Sequence, residues 1–469
     1  MSDWCKVLPM FRMLNPLRSY AWGSTTAFSR HFGWPVSQTP QAELWMGAHP
    51  AAPSSVRLEE GAEEVLPLDE LLRRCPELAA GRTSFPFLVK VLAAEQPLSI
   101  QTHPTRERAA AGFAGEDAAG VPVDSPQRSY VDPRHKPELV VALEDFTALC
   151  GFRPHAEAEA DVAALQRMLE QANQPEDRAD EGAGASAVDG TPGIPSDEVE
   201  DTHAALGRLR ELLAAQDHHA ALEAILRSDQ KSFTTAAAVV GQLLMIPSAA
   251  AAAGETAKTA PASGLSPMTA DTLGRTSRAF PGDPGVIVAL LLNRVDLSPG
   301  EALFLPAGVL HSYLHGVAVE IMANSDNVLR GGLTSKPLHV DELLEVTDTE
   351  VLPVPRFTPE EITPRRHRYS PDCEEFQLER LQFPDDVGSL PVDQQVVAVS
   401  QNGAAILLCT VGEVLIEALA SGQELRLAAG ESAFLPPSGS YAVTARAVAQ
   451  AFVATPGREL CSAEAADQR

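Results

Sequence analysis

Polar residues occupy alternate positions in the segment 98–103, which has the sequence Leu-Ser-Ile-Gln-Thr-His. If this segment is a strand, Ser99, Gln101 and His103 share one face, because successive side chains of a strand point to opposite sides. The residues that flank them are apolar. We therefore expect these three side chains to point into something other than a dry core.

Two further segments offer ligand-type side chains. The segment 134–138, Arg-His-Lys-Pro-Glu, places a cation, an imidazole and Glu138 beside an apolar run, and His311 shares a predicted strand face with Tyr313. Together with the first segment, they supply one amide oxygen, two imidazoles and one carboxylate. Such a mixed nitrogen and oxygen set suits a borderline divalent ion. Because the set contains no thiolate, we expect a catalytic ion whose shell is completed by water or substrate.

Each of these residues also has a simpler interpretation. A histidine at the end of a strand is more often a hydrogen-bonded residue of the partial core than a metal ligand, and Gln101 alone is a weaker candidate still. Lys136 and Glu138 could form an ordinary ion pair. The spacing alone therefore indicates a metal site without deciding it.

A second group of charged residues lies in the segment 320–336, which also contains glycines. Glu320 and Asp326 are carboxylates, which suit proton abstraction. Arg330 and Lys336 are cations, which suit a phosphate or a developing oxyanion. The alternative is a solvated loop whose charges only face water.

The elements that must position these residues are mainly strands, with one helical unit between them. Short apolar runs broken by Pro and Gly predict β-structure from residue 8 to about residue 152. From residue 155 to about residue 246, Ala, Leu, Glu, Gln and Arg recur at helical spacing. His218 and His219 lie on a predicted helix of this unit, and we expect both to be exposed.

Two segments in or beside the helical unit differ from it in composition. Residues 174–200 are acidic and rich in Gly, Ala and Pro, and residues 248–278 are rich in Ala, Thr, Ser and Gly. Such segments bury too little apolar surface to offset the entropy of ordering them. We therefore expect mobile surface insertions in both.

The remaining sequence returns to β-type patterns and contains an internal repetition. Residues 295–321 and 406–444 share the same order of an apolar strand, a turn with Gly-Glu, a Phe-Leu-Pro segment, a turn with Gly and a further strand. This repetition predicts two similar antiparallel barrels.

Composition and charge exclude several classes of function. The chain has 469 residues, 45% of them hydrophobic, and a formal net charge of −27. This charge argues against binding to nucleic acid, because proteins that bind the phosphate backbone do so with Lys and Arg. An anionic small substrate stays possible, since a few local cations can overrule the global field. No segment predicts a secretory signal or a transmembrane helix.

The cysteines are scattered along the chain without a CxxC pair or the spacing of a disulfide framework. This usage predicts free thiols in a reducing compartment, and we expect a cytoplasmic protein. The six residues are Cys5, Cys75, Cys150, Cys373, Cys409 and Cys461.

Seven segments resemble, in the same order, the motifs of the type I mannose-6-phosphate isomerase family, and cupin-like sequence follows them. The resemblance covers the chain apart from the two insertions and the extreme termini. None of the expected ligand positions departs from the family pattern. The segments are Asn15–Gly23, Ala42–Pro50, Pro86–Leu92, Leu98–Pro104, His135–Glu138, Pro306–Gly316 and Asn324–Lys336.

The resemblance implies a zinc-dependent aldose–ketose isomerase that interconverts mannose 6-phosphate and fructose 6-phosphate through an enediolate, linking glycolysis to GDP-mannose metabolism. One zinc ion per chain would be bound by the four residues already selected for their chemistry. They are Gln101, His103, Glu138 and His311.

The resemblance also assigns residues to the sugar phosphate. Asp326 is the first candidate for the base and Glu320 the second. His135 and Lys136 are candidates for opening the sugar ring, and Arg330 for stabilising the enediolate or binding the phosphate. Further positions expected to bind substrate are Ser99, Lys336, Tyr313, Trp22 and Glu43.

The implied fold is mainly β with a helical insertion, and consists of two cupin-like (jelly-roll) antiparallel β-barrels plus an α-helical domain. We expect residues 1–154 and 281–350 to form the catalytic barrel, 155–280 the insertion and 351–469 the second barrel. Because no histidine follows His367, we expect no metal in the second barrel. We also expect a monomer.

Two other classes of function remain as alternatives. A cupin dioxygenase would bind redox-active iron with histidines and a carboxylate, but Gln101 and the cationic segment argue against it. A degenerate isomerase that acts as a sugar-phosphate sensor would bind the substrate without turnover, and the intact ligand positions argue against that.

Overall fold

The described residues form 24 strands in three sheets, and the longest helices lie in the middle of the sequence. The predicted class, mainly β with a helical insertion, is confirmed. The computed structural model describes residues 10–58, 64–79, 85–173, 194–227, 231–245, 264–385, 396–400, 403–437 and 439–457.

The larger sheet contains eleven strands, and its pairs are antiparallel. Its longest strand, β12, pairs with β7 and β9 over its first residues and with β6 and β8 over the rest. The strands are β2 (Leu17–Arg18), β3 (Glu43–Gly47), β6 (Phe87–Ala94), β7 (Ile100–Thr102), β8 (Glu138–Ala142), β9 (Phe146–Phe152), β10 (Leu292–Leu297), β11 (Ala302–Leu305), β12 (His311–Ala323), β13 (Leu329–Gly332) and β14 (Arg356–Phe357).

Strand β12 changes partners at Gly316. This residue has a φ of 115°, which favours glycine. A Cβ atom at this position would lie 2.6 Å from the carbonyl oxygen of Asp145, so the backbone approach also excludes a side chain. The glycine therefore lets one strand contribute His311 to one part of the sheet and Glu320 to the other.

A nine-stranded sheet and a four-stranded sheet form the rest of the β-structure. The first contains β1 (Phe11–Leu14), β4 (Ser55–Arg57), β5 (Val65–Pro67), β15 (Glu360–Thr363), β16 (Arg366–Tyr369), β17 (Gln377–Phe383), β19 (Ala405–Val411), β22 (Ser432–Leu435) and β24 (Ala449–Thr455). The second contains β18 (Val396–Ser400), β20 (Glu413–Ala418), β21 (Gln423–Ala428) and β23 (Ser440–Thr444).

The N-terminal strands cross the predicted domain boundaries. Strand β1 lies between β22 and β4, and Phe11 pairs with Phe434. The first strands of the chain thus share a sheet with the last ones, and β14 joins β11 in the larger sheet. Assigning 1–154 wholly to the catalytic unit and 351–469 wholly to the second is therefore wrong for these strands. A hydrophobic pattern predicts a strand but not the sheet edge that it joins.

The predicted helical unit is confirmed between β9 and β10. Its helices pack around a core that includes Leu165, Leu206, Leu222 and Val240. They are α4 (His155–Ala172), α5 (Ser196–Ala214), α6 (His218–Arg227), α7 (Lys231–Met245), α8 (Pro267–Ala279) and α9 (Gly285–Val288). Outside this unit lie α1 (Ala27–Phe32), α2 (Leu68–Arg74), α3 (Arg106–Ala118) and α10 (Val340–Val346).

The two predicted insertions are shorter than expected. Helix α5 begins at Ser196 and α8 covers residues 267–279, so the prediction is wrong for these parts. Ser266 caps α8 by accepting the backbone N–H of Thr269 at 3.0 Å, and the Thr276 hydroxyl donates to the Thr272 carbonyl. Composition alone misses threonines that are buried with their hydroxyls bonded. The rest of both insertions, 174–193 and 248–263, lies outside the described residues.

His218 is buried, with 2% of its surface exposed, although the sequence predicts exposure. Its ring stacks on His155 with centroids 3.8 Å apart and lies 4.8 Å from the ring of Phe152. His219 is exposed, as predicted. The two differ because consecutive residues of a helix point about 100° apart, so that α6 buries only one of them.

The predicted free thiols are confirmed for three cysteines. Cys150, Cys373 and Cys409 are free and buried. Cys75 is disulfide-bonded, so the prediction is wrong there. Spacing along the chain does not show which cysteines the fold brings together. Cys5 and Cys461 lie outside the described residues.

A shared core joins the larger sheet to the nine-stranded sheet. It contains Phe87 and Val89 of the larger sheet together with Phe11, Ile406 and Phe434 of the other. These side chains are at most 1% exposed. The C-terminal strands therefore support the sheet that carries the candidate site.

Candidate metal and catalytic site

Three of the four predicted metal ligands meet at one buried point. His103, Glu138 and His311 offer ligand atoms that all lie within 4.8 Å of one another. The Nε2 atoms of His103 and His311 lie 3.4 and 3.3 Å from Oε2 of Glu138. Each of the three residues is only 1% exposed.

These separations fit a tetrahedral ion. A tetrahedral zinc shell with ligands at about 2.05 Å has ligand-to-ligand separations of about 3.4 Å. Nε2 of His103 and Oε2 of Glu138 are buried and have no hydrogen-bond partner in the described part of the chain. Unpartnered buried polar atoms are costly. A bound cation would compensate both, so the donor set fits zinc.

Gln101 completes the predicted set from the neighbouring strand. It faces His311 across the β7–β12 pair, and its amide nitrogen lies 3.4 Å from His311 Nε2. Rotating the amide by 180° presents the oxygen at this position, and such an assignment is a choice made from the hydrogen bonds. The pairing of β7 with β12 therefore brings the fourth predicted ligand to the same point.

Backbone carbonyls fix both imidazoles in the tautomer that a metal requires. Nδ1 of His103 lies 2.8 Å from the carbonyl oxygen of Asn327, and Nδ1 of His311 lies 2.9 Å from that of Val309. Each Nδ1 therefore carries the proton, and each Nε2 keeps its lone pair for the site.

The electrostatics hold the ligands in their metal-binding forms. Burial lowers the pKa of His103 to about 4, although Glu138 opposes the shift. Burial alone would raise the pKa of Glu138, but Lys136 and His103 hold it well below its ordinary value. Nζ of Lys136 lies 3.2 Å from Oε1 of Glu138, which leaves Oε2 for the histidines. His103 is thus a neutral imidazole and Glu138 a carboxylate at neutral pH.

Lys90 is a charged residue of this region that the sequence analysis does not select. Its Nζ lies 3.0 Å from Glu320 Oε2 and 3.7 Å from Glu43 Oε1. Burial lowers its pKa, but Glu320 and Glu43 outweigh burial and raise it overall. The one available signal is a lysine inside the apolar strand β6, where an unpaired charge would be very costly.

Glu320 and Tyr313, both predicted site residues, belong to the same buried network. The Tyr313 hydroxyl donates to Glu320 Oε1 at 2.9 Å, and Lys90 occupies the other oxygen. Burial raises the pKa of Glu320, which Lys90 opposes. Glu43 also belongs here, because its Oε1 lies 3.7 Å from Lys90 Nζ. Its Oε2 accepts the Trp45 indole N–H at 2.7 Å.

Asp326 is open to solvent, in contrast to Glu320. Its side chain is 56% exposed, and its Oδ1 lies 3.4 Å from Nε2 of the buried His49. Partial burial would raise its pKa, but His49, Lys136 and Lys90 lower it. Asp326 is therefore ionised at neutral pH and lies within the field of both lysines. The sequence pattern does not mark His49 as a site residue.

The predicted phosphate-binding cations lie on and after β13. Arg330 is half-buried and pairs with Gln101 in the β13–β7 register. Lys336 is exposed, and the nearby charge of Arg330 lowers its pKa. Ser99 is half-buried and directly precedes β7. The structure therefore places Arg330 next to the strand that carries Gln101, and Lys336 within the field of Arg330.

Two predicted residues make their described contacts elsewhere. Nε2 of His135 lies 2.6 Å from Glu375 Oε1 and 3.0 Å from an Arg106 guanidinium nitrogen. Trp22 stacks on Tyr20, with ring centroids 5.7 Å apart. These contacts do not connect either residue to the group of His103, Glu138 and His311.

Comparison with known proteins gives this arrangement a family. Residues 10–155 match the family model for the catalytic domain of type I phosphomannose isomerase. The mannose-6-phosphate isomerase of Shigella flexneri is 35% identical over 444 residues, which cover 92% of this chain and 96% of that protein. The chain belongs to the mannose-6-phosphate isomerase family.

Other mannose-6-phosphate isomerases agree in sequence and in structure. The human enzyme is 30% identical over 430 residues, covering 87% of this chain and 88% of that protein. The crystal structure of the Salmonella typhimurium mannose 6-phosphate isomerase bound to fructose 6-phosphate and zinc superposes with a TM-score of 0.74 at 30% identity. That superposition covers 96% of this chain and 100% of the other.

Among the described residues, no helix combines the length and the apolar character needed to cross a bilayer.

Proposed function

We propose that this protein is a zinc-dependent aldose–ketose isomerase that interconverts mannose 6-phosphate and fructose 6-phosphate through an enediolate. The observation that carries the proposal is the buried group of His103, Glu138 and His311, whose separations fit a tetrahedral ion. A related enzyme that binds zinc and fructose 6-phosphate supports this choice of metal and substrate.

One zinc ion per chain would be bound by His103, Glu138, His311 and Gln101. When bound, zinc supplies Lewis-acid polarisation of the sugar carbonyl and stabilises the developing negative charge. Lys136 holds Oε1 of Glu138 and keeps that carboxylate ionised. These contacts hold the ligands in place before the sugar binds.

We propose Asp326 as the base that moves the proton between C1 and C2. Both oxygens of Glu320 are occupied, one by Lys90 and one by Tyr313. Asp326 keeps one oxygen without a partner in the described part of the chain, and it is ionised and exposed. Glu320 instead fixes Lys90 within the pocket.

Arg330 and Lys336 would bind the phosphate. The chain carries a net charge of −27, so an anionic substrate needs a local positive surface. Arg330 lies opposite Gln101, and its field reaches Lys336. A phosphate bound there would hold the sugar end of the substrate towards the metal ligands. Ser99, Trp22 and Tyr313 would line the pocket for the rest of the sugar.

The proposal extends to the setting of the reaction. The β-structure would form two cupin-like jelly rolls, one catalytic and one C-terminal. Only the catalytic one would bind metal. The protein would act as a monomer in the cytoplasm and would supply mannose 6-phosphate for GDP-mannose synthesis or consume it for glycolysis.

The proposal is tested by following conversion of mannose 6-phosphate to fructose 6-phosphate by the purified protein. We expect turnover that a chelator abolishes and zinc restores. Glu138→Gln should stay inactive after zinc is added, because the variant loses the carboxylate that contacts both histidines. Glu170→Gln, an exposed change at the surface of the helical unit, should behave as the wild type.

The outcomes separate the alternatives. Oxygen uptake with ferrous iron in place of isomerisation would favour the dioxygenase. Sugar-phosphate binding by a zinc-loaded, folded protein without turnover would favour the sensor. Either result would overturn the isomerase proposal.

A further inference from the structure

Two loops meet beside His103, one before β8 and one between β12 and β13. The first loop covers residues 119–137, of which 131–135 take part here, and the second covers residues 324–328. The second loop supplies the carbonyl oxygen of Asn327, which lies 2.8 Å from Nδ1 of His103. The orientation of this ligand therefore depends on a loop that lies 224 positions away in the sequence.

The Asn327 side chain binds the first loop on both of its polar atoms. Its Oδ1 accepts the backbone N–H groups of Val131 and Asp132 at 2.9 and 3.4 Å. Its Nδ2 donates to the carbonyls of Asp132 and Arg134 at 2.7 and 2.8 Å. With 1% of its surface exposed, Asn327 is held by four hydrogen bonds away from water.

The Asp132 carboxylate binds in the opposite direction, from the first loop to the second. It accepts the Ser325 hydroxyl at 3.0 and 3.1 Å and the backbone N–H of Asp326 at 2.9 Å. Asp132 and Asn327 thus join the two loops reciprocally. We call this pair the loop clamp.

The orientation of His311, the other histidine of the site, does not depend on the loop clamp. His311 bonds through Nδ1 to the carbonyl of Val309, only two residues earlier on the same segment. Loss of the loop clamp would therefore release His103 and leave His311 in place. This asymmetry gives the clamp a specific effect on one ligand.

We propose that Asp132 and Asn327 are positioning residues of the metal site, acting through the Asn327 carbonyl to fix the tautomer and ring orientation of His103. The inference rests on the proposed zinc site, but not on the identity of the sugar. Groups that orient a metal-binding histidine through its second nitrogen commonly change metal affinity by about 10–100-fold when they are lost.

The test compares zinc dissociation constants of purified variants, measured by competition with a chelating dye. Asn327→Asp keeps the shape of the side chain but turns two donated bonds into repulsion against carbonyl oxygens. We expect zinc to bind about 10–100-fold more weakly than in the wild type. The matched control is Asn324→Asp, since Asn324 lies in the same loop, is also buried and donates its side-chain amide to the Phe85 carbonyl, outside the loop clamp. That variant should bind zinc within about twofold of the wild type.

Asp132→Ala tests the same clamp from the partly exposed loop and serves if Asn327→Asp does not fold. It removes the acceptor of the Ser325 and Asp326 bonds and should also weaken zinc binding by about tenfold. Folded variants that bind zinc as tightly as the wild type would overturn the inference. An equal loss of zinc affinity in Asn324→Asp would overturn it too.

The zinc measurement also keeps this inference separate from the proposed function. A wild-type protein that binds zinc but does not isomerise the sugar would contradict the proposed reaction and leave the clamp open to the same comparison. A wild-type protein that binds no zinc would overturn both.

Discussion

The proposed proton transfer makes opposite demands on two carboxylates of one segment. Glu320 is buried, and both of its oxygens have partners, so it is held in one position and shielded. Asp326 is largely exposed and lies within the field of Lys136 and Lys90, which favours its ionised form. Both residues are carboxylates, so their surroundings decide the proposed roles. Glu320 is structural, and Asp326 is available as the base.

Replacing Asp326 by Asn should lower kcat by about 100-fold or more, because the amide cannot accept the proton that the base removes. The KM for mannose 6-phosphate should change little, since the cations proposed to bind phosphate, Arg330 and Lys336, are untouched. Steady-state kinetics with the zinc-loaded variant measures both parameters.

Asp341→Asn is the matched control, because Asp341 is 86% exposed and pairs with Arg227 in the helical unit. It should keep wild-type kcat and KM. A kcat for Asp326→Asn within about threefold of the wild type would show that another group is the base.

At this scale the sequence predicts residue types better than their partners. His103, Glu138 and His311 are recognisable because together they make a plausible ligand set and because their segments match the ordered motifs of the family. Lys90, His49 and Asp132 are not selected, since a single lysine, histidine or aspartate has many uses. Only the fold shows that Glu320 neutralises Lys90 and that Asp132 accepts the backbone N–H of Asp326.

One long strand contributes residues to two parts of the site, because it changes its pairing partners along its length. Strand β12 brings His311 next to Gln101 and, beyond its bend at Gly316, brings Glu320 next to Lys90. The helical unit between β9 and β10 has a different character. It stacks the half-buried His155 on the buried His218, at the first residues of α4 and α6.

The buried histidine should make the stability of the protein depend on pH. Burial, with the neighbouring charge of His155, lowers the pKa of His218 from 6.5 to about 4, and Asp217 opposes the shift. Between these values the unfolded chain binds a proton that the folded chain does not. Stability therefore falls as the pH drops from about 6.5 to about 4.

His218→Phe keeps a ring in the stack but cannot titrate. We expect its melting temperature to fall less between pH 6.5 and pH 4 than that of the wild type, as followed by circular dichroism. His219→Phe alters the exposed neighbour and should retain the wild-type dependence. Parallel curves for wild type and His218→Phe would contradict a neutral, buried His218.

Element boundaries are where sequence reasoning is weakest. The helical spacing of residues 155–246 predicts the unit correctly. It does not show that α8 forms from a segment rich in Thr and Ser, because burial of Leu273 and Thr276 against the other helices decides that outcome. Nor does it show which face of α6 is buried. Both depend on packing between elements that are separate in sequence.

The whole molecule is held together by a core between its two larger sheets. Phe434 on β22 contacts Phe11 and Phe85, with ring centroids 6.3 and 6.1 Å away. Phe11 pairs in register with Phe434 across the β1–β22 ladder. The beginning and the end of the described chain therefore stabilise one another, and the sheet that carries the site packs against both.

Phe434→Ala should lower the free energy of unfolding by about 3–5 kcal/mol, because it leaves a cavity in this shared core. Urea unfolding should show one transition for the two sheets together. Leu419→Ala, at a 56% exposed position of the same C-terminal region, should cost no more than about 0.5 kcal/mol. Two separate transitions would contradict a single cooperative core.

The sequence predicts the general class of the molecule but not its connections. Alternating apolar residues indicate strands at both ends of the chain, yet the insertion of β1 between β22 and β4 joins residues more than 400 positions apart. Local patterns carry no record of such a pairing. Periodicity alone predicts strands. The expected activity comes from the ordered motifs that resemble those of the family.

The proposed function is tested most directly by titrating zinc into the metal-free protein while mannose 6-phosphate isomerisation is measured. We predict no turnover without metal, a linear rise with added zinc and a plateau at one zinc ion per chain. Full activity in the metal-free protein, or a folded protein that remains inactive when saturated with zinc, would contradict it.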